Sequence, residues 1–132
     1  MPNFVHIDIA ADDPERVTGF YNKVFGWNIQ KLDGPTPYWL ISTDVSPSGQ
    51  AGIGAGVAKR ELDWQSVTPT IDVPSVDEYA AKIEKEGGTI AVPKNLIPGV
   101  GYLLTFKDTE GNVFAILEAV ESNEFAGMPP SA

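Results

Sequence analysis

The chain holds a single histidine, His6, two residues from a carboxylate in the run Phe4-Val5-His6-Ile7-Asp8-Ile9. On an extended backbone that spacing puts the imidazole and the Asp8 carboxylate on one side. Histidine is the side-chain type whose ordinary titration lies near neutrality, so acid–base chemistry in this chain falls to His6. The structural alternative, which residue context favours, is a half-buried imidazole hydrogen-bonded to Asp8 or to a backbone carbonyl. One histidine rules out H-E-x-x-H and paired-imidazole sites. With no cysteine there are no disulfides, thiolate zinc sites or cysteine nucleophiles. G-x-S-x-G is absent, and the eighteen Asp and Glu residues are too scattered for spacing to single out a glycosidase pair.

A second stretch invites a chemical reading. Ala51 to Ala58, AGIGAGVA, contains G-x-G-x-G, but the dinucleotide fingerprint requires a helix to start there. Lys59 to Pro69 has no helical period, so the expectation is a glycine-rich strand that another group approaches closely.

The elements that must position these residues are legible. Val5, Ile7 and Ile9 alternate with Phe4, His6 and Asp8, a strand with two different faces. Asp13 then stands at a helix N-cap, with Pro14 at the first helical position and Glu15 in the first turn. Val17, Phe20, Tyr21, Val24 and Phe25 form an apolar stripe, and Gly26 ends the helix. The pattern returns 64 residues later: His6-Ile7-Asp8-Ile9 overlays Thr70-Ile71-Asp72-Val73. Ser75 and Glu78 make a capping box, Val76, Tyr79, Ala80 and Ile83 repeat the stripe, and Gly87-Gly88 closes the helix. Each helix is followed by three strand-like segments. The expected fold is α+β, two βαβββ modules forming a curved mixed sheet, a half-barrel cup.

Along the rest of the chain, strands are expected at Asn28 to Leu32, Tyr38 to Thr43, Thr89 to Val92, Tyr102 to Lys107 and Val113 to Glu118. Pro93 to Gly101, PKNLIPGVG, reads as a loop suited to a flap over a cavity. Asp108 to Asn112 reads as a hairpin turn. Trp64, in the linker Arg60 to Thr68, reads as a packing or interface residue. The expected organisation is one domain over residues 1–132, with module one at about 2–60, module two at about 66–120 and a tail from 121 to 132 whose Phe125 could dock on a partner.

Charge narrows the partners. Nine Lys and Arg against eighteen Asp and Glu leave −9, a field that repels nucleic acid and anionic membrane surfaces. No apolar run is long enough to cross a bilayer, and the N-terminus lacks a signal-peptide pattern, so a cytoplasmic location is expected.

Three stretches carry a family resemblance: Phe4 to Ile9; Asp13-Pro14-Glu15-Arg16 leading to Phe20-Tyr21 and Phe25-Gly26-Trp27; and Phe106-Lys107-Asp108-Thr109-Glu110-Gly111-Asn112. Over nearly all of residues 2–120 the chain resembles the glyoxalase/bleomycin-resistance/extradiol-dioxygenase (vicinal oxygen chelate) superfamily. Within it, the chain is most similar to a subgroup of short predicted lactoylglutathione-lyase relatives. The resemblance implies four metal ligands, one on the first and one on the last strand of each module. His6 matches the first, but Thr70 and Ala115 stand at the second module's positions, and the glycine-rich stretch around Ile53 to Gly56 at the remaining one.

Since a divalent ion needs about three protein donors, the expectation is no metal and no other cofactor. Were an ion held, His6 with Asp8 or Asp72 would hold it, whereas Glu118 points away from Ala115 by strand parity. The expected activity is binding of a small organic molecule, with Phe4, Trp39, Tyr102 and Phe106 as apolar walls and His6, Asp8, Thr70 and Asp72 as polar contacts. His6 is the catalytic candidate if there is one. Two further readings are a metal-dependent lyase, isomerase or dioxygenase, and a non-catalytic dimerisation module. The resemblance also implies a homodimer.

Overall fold

The computed structural model describes residues 1–34, 36–43 and 46–120. In chain order its elements are β1 (Asn3–Ala11), α1 (Pro14–Phe25), β2 (Asn28–Leu32), β3 (Tyr38–Ser42), β4 (Gly54–Lys59), β5 (Val67–Asp72), α2 (Val76–Lys85), β6 (Thr89–Ile97), β7 (Gly101–Lys107) and β8 (Val113–Ala119). Strand, helix and three strands occur twice, the duplication that the sequence repeat predicts. The described chain divides into two compact units, residues 6–68 and residues 1–5 with 69–120, so β1 contributes its first residues to the second unit.

In the first unit the strand order is β2-β3-β4-β1. β1 and β4 run parallel with His6 opposite Gly54 and Asp8 opposite Gly56, while β3 is antiparallel to both β2 and β4. Alternation sorts the two faces. Ile9, Ala11, Trp39, Ile41, Ala55 and Val57 pack with Val17 and Tyr21 of α1, around Ala11, Ile41 and Val57 as the fully buried centre.

The helix begins as its sequence requires: the Asp13 carboxylate accepts from the Arg16 amide at 3.1 Å, and Gly26 takes the left-handed conformation at φ 71° with its amide bonded to the Asn22 carbonyl. The expected apolar stripe is only partly covered. Pro14 and Thr18 are buried, whereas Phe20, Val24 and Phe25 are each more than half exposed. Phe20 and Val24 lie to one side of the arc that Pro14, Thr18 and Tyr21 turn to the sheet, and Phe25, in the last turn, stacks on Trp27 with ring centroids 4.8 Å apart.

In the second unit the order is β5-β8-β7-β6, with β5 and β8 parallel and the other pairs antiparallel. Val73, Val76, Leu104 and Ile116 are the buried centre, and Ile71, Tyr79, Ala80 and Ile83 pack against them, the face of α2 that the stripe predicts. Ser75 accepts from the Glu78 amide at 3.2 Å. The Glu118 carboxylate accepts from the Val76 amide at 2.9 Å, which places it at the head of α2, on the side of β8 away from Ala115.

Two segments differ from expectation. Lys94 to Ile97 continues β6 instead of forming a flap; irregular register between Ile90, Val92 and Asn95 brackets Pro93. Proline survives there because β6 ends the strand order and a bulge needs no amide from it. The linker is shorter, because β5 starts at Val67, and it is held by Arg60. That guanidinium bonds the Asp12 carboxylate at 2.9 Å and the Gln65 carbonyl, while Gln65 Oε1 accepts from the Glu61 and Leu62 amides. Trp64, expected as a packing or interface residue, is about a third exposed. The tail with Phe125 lies outside the described residues. Among the described residues no helix is long and apolar enough to cross a membrane.

Candidate functional site

Residues on β1 alternate, so His6 and Asp8 rise from the first unit's sheet on the face that α1 does not cover. Beside them β4 offers Gly54 and Gly56 in register, positions without side chains. Into that space reaches Tyr38, whose backbone pairs with Ala58. Its phenol lies so close over Gly56 that a Cβ there would stand 1.7 Å from the hydroxyl oxygen. The glycine-rich strand is therefore approached by a neighbouring aromatic side chain, and no phosphate cradle is formed.

Three groups meet at the phenol. The Tyr38 hydroxyl donates to Asp8 Oδ1 at 2.7 Å and lies 2.7 Å from His6 Nε2, which is itself 3.1 Å from Asp8 Oδ1. The imidazole and phenol rings are nearly parallel, 28° apart with centroids at 6.5 Å. Burial, then the Asp8 charge and hydrogen bond, push the Tyr38 hydroxyl well above the ordinary phenol value, so Tyr38 keeps its proton. His6 is 6% exposed, more deeply buried than expected, and its Nδ1 is shielded with no partner among the described residues. The Asp8 side chain is 40% exposed, so the cluster has one sealed end and one wet end.

The second unit repeats part of this. Thr70 is 2% exposed, faces Ala115 across the β5–β8 ladder, and buries an Oγ1 that has no partner among the described residues. Asp72, opposite Leu117, is exposed on the same side.

Of the expected aromatic walls, Trp39, Tyr102 and Phe106 are placed otherwise. Trp39 lies with Ile41 against the core under α1 and receives the Lys31 ammonium at 5.3 Å from its ring, because Tyr38 takes the face that Trp39 was expected to occupy. Tyr102 and Phe106 alternate with buried Leu104 on the side packed against α2, so neither lies on the face of Thr70. Lys94 covers the Tyr102 ring at 4.5 Å, and Phe106 stacks on Phe114 at 6.0 Å. Phe4 is half exposed, 6.3 Å from the Phe114 ring. The structure thus joins His6 and Asp8 with Tyr38, a residue that sequence reasoning passed over. The signal available was a strand of glycines able to admit a large neighbour.

Among the described residues no three His, Cys, Asp or Glu side chains gather where they could share an ion. A separate groove of about 560 Å³ opens at the end of α1, lined by Phe25, Trp27, Asn28, Ser42, Pro47 and Gly52 among others. It includes none of His6, Asp8 or Tyr38.

Comparison with known proteins agrees with this architecture. Residues 3–116 match the model of the Glyoxalase/Bleomycin resistance protein/Dioxygenase superfamily. A glyoxylase-like domain-containing protein of Didymella fabae is 32% identical over 114 residues, covering 83% of this chain and 88% of that protein. A variant methylmalonyl-CoA epimerase of Streptomyces coelicolor, solved in complex with 2-nitronate-propionyl-CoA, superposes with a TM-score of 0.65 at 14% identity, covering 89% of this chain and 97% of that one. A hypothetical protein of Bacillus halodurans gives 0.65 at 14% identity over 91% and 96%, and the methylmalonyl-CoA epimerase of Mycobacterium tuberculosis 0.64 at 14% over 93% and 91%. At that identity the solved structures establish a shared fold. The match of the family model over residues 3–116 establishes that this chain belongs to the Glyoxalase/Bleomycin resistance protein/Dioxygenase superfamily.

Proposed function

We propose that the protein binds a small organic molecule on the sheet face that carries His6, Asp8 and Tyr38, and does so without a divalent ion. The observation that carries this reading is the cluster of His6, Tyr38 and Asp8 itself, whose Asp8 side chain is 40% exposed on the sheet face that α1 leaves uncovered. A small number of convergent polar groups is what fixes the orientation of a small ligand. The donor set does not suit a metal. Among the described residues no third His, Cys, Asp or Glu side chain joins His6 and Asp8, and the Tyr38 phenol holds its proton. An ion needs about three donors.

The test is a thermal-shift and dye-displacement screen of EDTA-treated protein against thiol conjugates and glycopeptides, followed by metal analysis of the untreated protein. A compound that raises the Tm of the wild type but not of His6→Ala supports the proposal. If instead a stoichiometric Ni, Mn or Fe ion survives dialysis and is lost in His6→Ala, the reading as a metal-dependent lyase, isomerase or dioxygenase takes over. We further propose that it acts in the cytoplasm as a homodimer. The superfamily resemblance and the exposed Phe20, Val24 and Phe25 on α1 support association, and equilibrium sedimentation tests it. The −9 charge disfavours nucleic acid as a partner.

A further inference from the structure

We propose that the groove at the end of α1 is a second ligand site, and that it takes an uncharged, flat aromatic molecule carrying one hydrogen-bonding group. The groove contains none of His6, Asp8 or Tyr38 and does not depend on the function proposed for them.

Its aromatic wall follows from the run Phe25-Gly26-Trp27. Gly26 ends α1 in the left-handed conformation, at φ 71°, and turns the chain so that the rings on either side of it meet. Phe25 and Trp27 are stacked, their centroids 4.8 Å apart and their planes 24° apart, and Tyr21 lies 5.4 Å from Trp27. The Trp27 carbonyl accepts from the Asn22 side-chain amide at 2.9 Å, which fixes the turn. Tyr21 and Trp27 pack against the core under α1, while Phe25 is 58% exposed. An exposed ring in a stack is a surface on which a further flat ring gains contact over its area. Phe20 and Val24 do not line the groove, so the exposed flank of α1 and this site are different surfaces that share Phe25.

A second wall comes from the segment 46–52, which is closed on itself. The Ser46 amide donates to the Gln50 carbonyl and the Gly49 amide to the Ser46 carbonyl, each at 2.8 Å, and Ser46 Oγ accepts from the Gln50 amide at 3.1 Å. Both walls are thus held by bonds of the chain itself. Asn28, Ser42 and Thr43, all exposed, add an amide and two hydroxyls to the lining. A volume of about 560 Å³ suits a small molecule, and apolar walls with a few polar groups are the usual make-up of such a site.

Charge selects the ligand class. None of the described lining residues is charged, so none offers an ion-pair partner to a charged ligand. The −9 of the whole chain further repels an anion. What remains is a neutral ring system that stacks on Phe25 and reaches one of the polar groups.

The chain's three tryptophans give the readout. In the ¹⁵N-labelled protein the indole N–H of Trp27 is identified by its loss in Trp27→Phe. 2-Naphthol, titrated into the wild type, should shift the Trp27 resonance saturably and leave those of Trp39 and Trp64 in place. Naphthalene-2-sulfonate keeps the rings but adds a negative charge, and decahydro-2-naphthol keeps the hydroxyl but not the flat rings. Each should need about tenfold more for the same shift. Phe25→Ala, its fold checked by the backbone amide spectrum, should weaken 2-naphthol about tenfold, and His6→Ala should leave it unchanged. No saturable shift of Trp27, or equal shifts of Trp27 and Trp64, overturns the site. An equal response to the sulfonate or to the saturated alcohol overturns the ligand class, whatever the variants do. Undiminished binding by a folded Phe25→Ala overturns the stacking, and a Trp27 response lost in a folded His6→Ala contradicts a separate site. If the screen finds no ligand for the His6 face while 2-naphthol still shifts Trp27, the proposed function fails alone.

Discussion

Tyr38 and Gly56 act as one unit at the residue scale, because the phenol exists in its place only where β4 has no side chain. Gly56→Ala should therefore reproduce the loss of the Tyr38–His6 and Tyr38–Asp8 bonds, with a stability cost of about 1.5–3 kcal/mol, the range for a hydrogen bond to a charged group. Urea unfolding reads that cost. A Gly56→Ala protein as stable as the wild type would mean that the phenol contributes nothing where it stands.

Tyr38 also sets an alkaline limit. Its folded value is raised above the unfolded phenol, so its contribution is complete below about pH 10 and declines as the pH rises further, when the unfolded chain ionises first. The stability advantage of the wild type over Tyr38→Phe should shrink above pH 10, measured by urea midpoints across that range. A constant difference would contradict the burial and the Asp8 bond together. The pairing of His6 with Asp8 was legible in the sequence, since a spacing of two on one strand fixes a shared side. The choice between Tyr38 and Trp39 was not. Both follow a Gly-Pro turn, and a one-residue slip in register exchanges the faces of a strand.

Among the elements, the two helices show which sequence signals govern. Caps are local, and both were readable: Asp13 bonds the Arg16 amide and Ser75 the Glu78 amide. Asp13→Ala should destabilise the first unit by about 1 kcal/mol, visible as a lowered thermal midpoint, and Asp13→Asn should recover most of it. Which part of a stripe becomes core depends on the partner surface. In α2 the stripe of Val76, Tyr79, Ala80 and Ile83 is all packed; in α1 only Val17 and Tyr21 of the five stripe residues are. Ile116, 2% exposed beneath α2, should cost about 2–5 kcal/mol when cut to alanine, whereas Val24→Ala should cost far less. Equal losses at the two positions would mean that α1 is covered in solution by something else. The second half of β6 hid behind Pro93 because proline disqualifies a central strand, and only the topology makes this one an edge. Tyr102 and Phe106 became core for a related reason: strand parity ties them to Leu104, and only the position of α2 decides which parity is inside.

For the whole molecule, duplication is the organising fact. The repeat of 64 residues was visible because buried faces must recur when a module recurs, and two βαβββ units followed from it. The copies differ on the strand faces that the helices leave uncovered. There one module carries His6, Asp8 and Tyr38, and the other carries Thr70, Ala115 and an exposed Asp72. Whether such a face holds an ion is a matter of donor number, and the account depends on these donors being too few. The most direct test is the metal stoichiometry of the purified protein, by plasma emission before and after dialysis and by calorimetric titration with Ni, Mn and Fe(II). The account predicts far less than one equivalent retained and no saturable heat that differs between the wild type and His6→Ala. One equivalent held through dialysis by the wild type and released by His6→Ala would contradict it.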